Sequence, residues 1–411
     1  MVVHRKAAHT SHCDMPLSDS RRISTNLLKA TSNHDADTQG GRPHTITSRQ
    51  PRYCRKRSSA THQAEHRYSN TEISSQITSP PNFRPRTLEL MVMEPVPYDL
   101  PLHVRFRGIE RRRGMVWAGP SGWAEFSPFE EYSVAECRPW FRAAREAAEF
   151  GFPPPVRRFV PVNATVPAVS PDQAQRLVAQ SGGCTTVKIK VGEPGQDLEQ
   201  DLARVAAVRA VIGPSGCIRV DANGAWQVDQ AAVYLAKLDK AAGGLQYAEQ
   251  PCATAAELAE LRRLTNVPLA ADESIRRVED PLAVKRLGAA DVVVLKVQPL
   301  GGVRACLALA DQVGLPVVVS SAMESVVGTA MGLALAAALP KLELACGLAT
   351  GQLLAADLAS GAHRVVNGQI ELAQPVVDAD LLAQAKPGAT HATWWQDRWR
   401  AVARAESEAV Q

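Results

Sequence analysis

Five short apolar runs end in polar residues that a buried strand seldom carries. They are Val187-Lys188-Ile189-Lys190, Arg219-Val220-Asp221-Ala222-Asn223, Tyr247-Ala248-Glu249-Gln250-Pro251, Ala270-Ala271-Asp272-Glu273-Ser274 and Val294-Leu295-Lys296-Val297-Gln298. Asp221, Glu249 and Asp272 lie 28 and 23 residues apart, about one strand–helix unit each. On successive parallel strands they converge at one mouth as three hard oxygen ligands. Three carboxylates side by side repel and do not all stay ionised unaided. A divalent cation resolves that conflict. All-oxygen ligation suits Mg2+, with Mn2+ as the substitute, and leaves positions for water or substrate. Cys and His are absent from the set, which argues against a structural zinc site.

Lysines complete the constellation. Residues i and i+2 of a strand point to one face, so Lys188 and Lys190 both face the barrel interior. Lys296, four strands further round, approaches from the opposite side. An ammonium with a pKa of about 10.4 is a poor base at neutral pH. A second ammonium and a divalent cation nearby favour the neutral amine. The arrangement suits removal of a proton α to a carboxylate, with the metal taking up the charge that forms.

Each piece alone has a plainer reading. One Asp at a strand end is commonly a helix N-cap, and one strand Lys is commonly a solvated edge residue. Coincidence is harder to sustain for five successive strand ends of the right polarity.

The elements that position these residues follow a regular rhythm. Eight β-rich runs alternate with helical stretches: Val162–Val169, Thr185–Val191, Cys217–Asn223, Leu245–Gln250, Pro268–Ser274, Asp291–Gln298, Pro316–Ser321 and Lys341–Cys346. Leu198, Leu202, Val205, Val208 and Ile212 give helical spacing, and Thr254-Ala255-Ala256-Glu257 is a capping-box signature. This alternation predicts an α/β fold, a parallel (β/α) barrel rather than an open sheet, over residues 156–380. Ahead of it, Leu102, Val104 and Phe106 alternate with His103, Arg105 and Arg107, as in a half-buried strand. Gly108 and Arg111–Arg113 read as a loop. Met115–Trp117 and Gly122–Phe126 read as two further strands joined by a turn, and Ser133–Phe150 as a helix. Residues 93–155, with a C-terminal segment of about 380–411, therefore form a small α+β capping domain.

The remaining 92 residues are different material. Residues 1–90 hold 14 Lys and Arg against 7 Asp and Glu, whereas the rest of the chain holds 32 against 35. With no sustained apolar periodicity, residues 1–92 read as a disordered basic extension, and Met91 or Met93 as the natural start. No apolar core of a secretory signal follows the early charges. The longest apolar stretch, Val326 to Leu339, is too short to span a membrane and reads as a buried helix. The eight Cys show no paired spacing, so reduced thiols in a cytoplasmic protein are expected. No Walker loop, His-Glu-x-x-His or Gly-x-Ser-x-Gly motif occurs.

Lys188-x-Lys190, Asp221-x-Asn223, Glu249-Gln250-Pro251, Asp272-Glu273-Ser274 and Lys296 resemble the signature of the enolase superfamily, muconate-lactonising subgroup. The resemblance runs from about residue 98 to 400. It implies an N-terminal capping domain on a (β/α)7β TIM-like barrel, with one Mg2+ bound by Asp221, Glu249 and Asp272. Within the subgroup the chain is most similar to the o-succinylbenzoate synthases of actinobacteria. Val104–Gly108, Gly122–Phe129, Asp221–Trp226, Ser320–Ser325 and Gly347–Thr350 carry that likeness.

The likeness implies a hydro-lyase of menaquinone biosynthesis, acting on a small-molecule carboxylate. It would convert 2-succinyl-6-hydroxy-2,4-cyclohexadiene-1-carboxylate to o-succinylbenzoate and water. Lys190 would take the α-proton and later return it to the departing hydroxyl. Lys296 would stay cationic and steady the enediolate, and Lys188 would tune Lys190. Asn223, Ser320, Ser321 and Gly347 would contact substrate; the Arg111–Arg113 loop would close over its succinyl tail or, the plainer and preferred reading, stay solvated. Trp226 and the Trp394-Trp395-Trp399 cluster read as packing. N-succinylamino acid racemisation by the same two lysines is the rival activity. A remoter one is an inactive barrel whose basic extension binds nucleic acid, although no nucleic-acid or membrane partner is expected. Monomer and homo-oligomer stay equally open.

Overall fold

The computed structural model describes residues 94–278 and 280–409. The basic extension expected over residues 1–92 lies outside the described residues.

Three antiparallel strands open the described chain, β1 (Val96–Phe106), β2 (Ile109–Gly119) and β3 (Gly122–Phe126), in that spatial order. The alternation holds at the end of β1, where Leu102, Val104 and Phe106 turn inward while His103 and Arg105 are exposed. Arg111–Arg113 are not a loop. They lie inside β2 and pair with Pro101, Leu100 and Asp99, and the chain reverses at Arg107-Gly108, both at positive φ. A run of three charges is tolerated there because each has a partner. Asp99 takes Arg111 and Arg113 at 2.8 and 3.1 Å, while Arg112 turns inward onto carbonyl oxygens. Helix α1 (Val134–Arg145) follows, its start fixed by a Ser133–Glu136 capping box, and one π-helical turn carries it to Phe150.

The barrel is built next. Strand β4 (Phe159–Pro161) precedes β5 (Ala164–Val166), α2 (Pro171–Ala179), β6 (Thr186–Lys190), α3 (Leu198–Ile212), β7 (Cys217–Asp221), α4 (Val228–Ala242), β8 (Leu245–Glu249) and α5 (Ala255–Leu264). Then come β9 (Leu269–Ala271), the short α6 (Glu273–Arg276) and α7 (Ala283–Arg286), β10 (Val292–Leu295), α8 (Val303–Val313), β11 (Val317–Val319) and α9 (Val326–Ala338). Strands β5 to β11 pair in sequence order, every neighbour parallel. The eighth expected segment pairs only at its end. Cys346 bridges Val162 on one side and Gly347 bridges Ser320 on the other, both parallel, which joins the two edges of the sheet. The result is the (β/α)7β barrel. Its strands are buried on both faces, as a covered parallel sheet requires.

After the barrel, β12 (Val365–Val366) and β13 (Gln369–Glu371) pair with β4, and α10 (Ala379–Gln384) leads to α11 (Ala389–Glu408). Helix α11 returns to the antiparallel sheet. Trp399 sits edge-on to Trp117 at 4.7 Å and to Phe126 at 5.2 Å, and also packs on Phe141. Trp395 is fully buried and Trp226 packs on Tyr234, so these indoles are packing residues. Helix α9 is buried from Val326 through Ala337, and among the described residues no helix is long and apolar enough to cross a membrane. Cys137, Cys184, Cys252, Cys306 and Cys346 are free and buried, as expected of reduced thiols.

The Thr254 capping box forms as its sequence predicts, with Glu257 N–H donating to Thr254 Oγ1 at 3.2 Å and Thr254 N–H to Glu257 Oε2 at 2.8 Å. Thr254→Ala should cost about 1 kcal/mol, read as a lower urea midpoint at unchanged slope.

Candidate active site

Lys188 and Lys190 are two residues apart at the end of β6, and the register sets Lys190 beside Asp221 and Asp221 beside Glu249. Asp272 follows β9 directly and Lys296 follows β10. The strands therefore deliver all six ionisable groups to one end of the barrel. Lys188 Nζ lies 3.0 Å from Glu249 Oε1 and 3.3 Å from Asp221 Oδ2. Lys190 Nζ lies 2.7 Å from Asp221 Oδ2 and also donates to Asn223 Oδ1. Lys296 Nζ donates to Asp272 Oδ2 at 2.5 Å. Each carboxylate is at most 1% exposed and each lysine at most 9%.

Burial works against every charge here, and the partners decide which survive. Lys190 and Lys188 hold the Asp221 carboxyl well below the usual range in spite of its burial. Arg276 and Lys296 do the same for Asp272. Burial would discharge Lys188, but the charges of Glu249 and Asp221 outweigh it and hold the ammonium above its ordinary value. Glu249 goes the other way. Burial and the neighbouring Asp221 charge raise its carboxyl above the usual range. Crowding of like charges thus falls on one member of the three.

That crowding is the condition a divalent cation relieves, and three oxygen donors on adjacent strand ends are the donor set Mg2+ takes. Among the described residues no three His, Cys, Asp or Glu side chains are gathered closely enough to hold a metal as they stand, because the ammonium groups occupy the carboxylate oxygens. The residues fit the ion in type and location.

Lys188, Lys190, Asp221, Asn223, Lys296, Ser320 and Ser321 line a single cleft. Glu249, Asp272 and Gly347 do not reach its surface. Gly347 stands behind Ser320, where a Cβ would meet the Ser320 hydroxyl at 2.7 Å, so glycine admits that side chain. The Arg111–Arg113 run, expected to close over the cleft, is absent from its lining. Arg107, Phe106 and Phe129 of the cap stand there instead.

Several residues escaped the sequence reading. Arg276 donates to Asp272 Oδ1 at 2.8 Å, and its position one helical turn past Asp272 was the available signal. Gln250 is fully buried, and its Oε1 accepts from the Asp272 and Ser274 amides at 3.0 and 3.1 Å. That bond explains why the Glu249-Gln250-Pro251 and Asp272-Glu273-Ser274 motifs occur together. Thr165, on β5 opposite Lys188, and Thr350 also line the cleft; Thr350 closes the Gly347–Thr350 stretch that carries the likeness, whereas nothing in the local sequence of Thr165 marked it.

Comparison with known proteins identifies the family and the fold. Residues 97–148 match the family described as enolase N-terminal domain-like, and residues 170–388 the family described as enolase C-terminal domain-like. An o-succinylbenzoate synthase of Thermobifida fusca (strain YX) is 56% identical over 316 residues, which is 76% of this chain and 97% of that protein. An o-succinylbenzoate synthase of Mycobacterium marinum is 54% identical over 303 residues, 74% of this chain and 91% of that protein. The muconate lactonizing enzyme of Pseudomonas fluorescens shares the fold, with a TM-score of 0.61 at 21% identity over 72% of this chain and 98% of that one. Members of the enolase superfamily generally depend on a divalent metal. With cap, barrel and strand-end charges in place, and more than half of the aligned residues shared along nearly the whole of such relatives, the chain belongs to the o-succinylbenzoate synthase family of the enolase superfamily.

Proposed function

We propose that the chain dehydrates 2-succinyl-6-hydroxy-2,4-cyclohexadiene-1-carboxylate to o-succinylbenzoate, as a Mg2+-dependent cytoplasmic hydro-lyase of menaquinone biosynthesis. The observation that carries the reading is one cleft lined by Lys190 and Lys296 from strands four apart, over Asp221, Glu249 and Asp272. A small carboxylate is the partner in this reading, and nucleic acid has no part in it.

Lys190, as the neutral amine, takes the proton α to the substrate carboxylate, and the C–H electron pair moves onto that carboxylate as an enediolate. Asp221 and Asn223 each accept a hydrogen bond from the Lys190 amine and hold it in place, which leaves its lone pair free to take the proton. A divalent cation held by Asp221, Glu249 and Asp272 would supply positive charge where the substrate carboxylate becomes more negative. Lys296 stays protonated on the far side and steadies the same charge. The C–O bond to the 6-hydroxyl then breaks, Lys190 returns its proton, water leaves and the ring becomes aromatic. Lys188 sets the charge around Asp221 and Glu249, while Asn223, Ser320 and Ser321 contact substrate and Gly347 makes room for Ser320.

Racemisation of N-succinylamino acids would use Lys190 and Lys296 as alternate base and acid. The purified protein, given each substrate in D2O with Mg2+, separates the two. The dehydratase reading expects kcat/KM for the cyclohexadiene to exceed that for α-deuteration of N-succinylamino acids by about 100-fold or more, equal to some 2.7 kcal/mol of transition-state preference. A ratio below one would make racemisation the activity.

A further inference from the structure

Two charged side chains of the cap are buried away from the reacting groups and aim at the barrel. Arg112 on β2 is 2% exposed and Glu125 on β3 is 0%. Arg112 Nε donates to the Met323 carbonyl at 3.0 Å, its Nη1 to the Arg113 carbonyl at 2.8 Å, and its Nη2 to the Ser127 hydroxyl and carbonyl. Glu125 Oε1 accepts from the Tyr98 hydroxyl at 2.8 Å and the Ser127 hydroxyl at 2.6 Å. Its Oε2 accepts from the Gly328 amide at 3.0 Å and from the Ser325 hydroxyl. Ser127 N–H donates to Gln298 Oε1 at 3.1 Å, two residues beyond Lys296.

The fit is built into the backbone on both sides. A Cβ at Gly328 of α9 would meet Glu125 Cδ at 2.9 Å, and one at Gly114 of β2 would meet the Tyr98 hydroxyl at 2.7 Å. Only glycine at these positions lets helix and strand close on the carboxylate.

What this clasp holds is the segment 320–325, between β11 and α9. Met323 sits at φ +65°, a conformation an L side chain disfavours unless its surroundings impose it. Its carbonyl receives Arg112, and its amide donates to Ser321 Oγ at 2.8 Å, which in turn lies 2.6 Å from Thr350 Oγ1. Ser320, Ser321 and Met323 all line the cleft. Release of the Met323 carbonyl would let that residue relax to negative φ and carry the Ser321 hydroxyl with it.

We propose that Arg112 and Glu125 are positioning residues that hold the 320–325 wall of the cleft in the shape that receives the end of the substrate remote from the lysines. The assignment of that end to this wall rests on the dehydratase reading above. In the full chain, Arg112→Met is expected to raise KM about tenfold with kcat within about threefold of wild type, as when binding alone loses a charge-assisted hydrogen bond. Arg112→Lys keeps the charge and one donor to Met323 and is expected to recover most of the KM. Amide hydrogen exchange, which needs no substrate, should quicken across 321–325 in Arg112→Met and stay unchanged in α4. If Arg112→Met does not fold, Ser127→Ala removes the hydroxyl shared by Arg112, Glu125 and Gln298 and should give the same two changes at smaller amplitude. A folded variant with wild-type exchange across 321–325, or with reduced kcat at unchanged KM, overturns the proposal. Wild-type protein that fails to turn over the cyclohexadiene overturns the dehydratase reading instead, and the exchange pattern still decides whether the clasp holds the wall.

Discussion

Lys190→Ala should lower turnover of the cyclohexadiene by about 10^4-fold, the upper end of what a positioned general base contributes, while o-succinylbenzoate still binds. In the proposed mechanism the lysine both receives the α-proton and returns it to the leaving hydroxyl, so its loss would remove two steps at once. Lys296→Ala removes only a fixed charge beside the enediolate, and a loss of about 10^2- to 10^3-fold is expected. Steady-state kinetics with calorimetric titration of product measures both. The inequality is the informative part. In a racemase the two lysines exchange the roles of acid and base, and their alanine variants would be comparably impaired.

Metal removal should have an effect of similar size. Chelation is expected to abolish turnover and added Mg2+ to restore it, because Glu249, Asp221 and Asp272 crowd three acidic groups into a site from which water is excluded. Glu249→Gln takes one carboxylate from the set and should lower activity about 10^3-fold, the scale of removing a key electrostatic stabiliser. A readout free of catalysis accompanies it. At 100 times its dissociation constant, Mg2+ should stabilise the wild type by about 2.7 kcal/mol, seen as a higher Tm, and should leave the Glu249→Gln midpoint nearly unmoved. An equal rise in both proteins would remove Glu249 from the metal site.

Much of the site was legible because barrel strands write it in order. A polar residue that closes an apolar run can lie only at a strand end, and parallel strands bring their ends to one mouth. The same logic explains what was missed. Arg107, Phe106 and Phe129 reach the cleft from another sheet, and no local pattern in β1 or β2 states which way the cap faces. The Arg111–Arg113 run looked like a loop because its stabilising partner, Asp99, is distant in sequence and becomes visible only in the strand register. The ammonium groups among the carboxylates were likewise beyond spacing alone. Spacing makes Lys188 a neighbour of Lys190, and the structure adds that it contacts Glu249 and Asp221. Gln250 stands out in the sequence only as part of a motif, and its buried bonds to the Asp272 and Ser274 amides show what the motif does.

In the proposed reaction this cleft removes the α-proton and then water from a cyclohexadiene carboxylate, with Lys190 as base and a divalent cation in support. Loss of substrate absorbance by the purified full chain, with Mg2+ and with chelator, beside Lys190→Ala, tests it most directly. Rapid loss is expected only for wild type with Mg2+. Absence of turnover by wild type in saturating Mg2+, or undiminished turnover by Lys190→Ala, would contradict it.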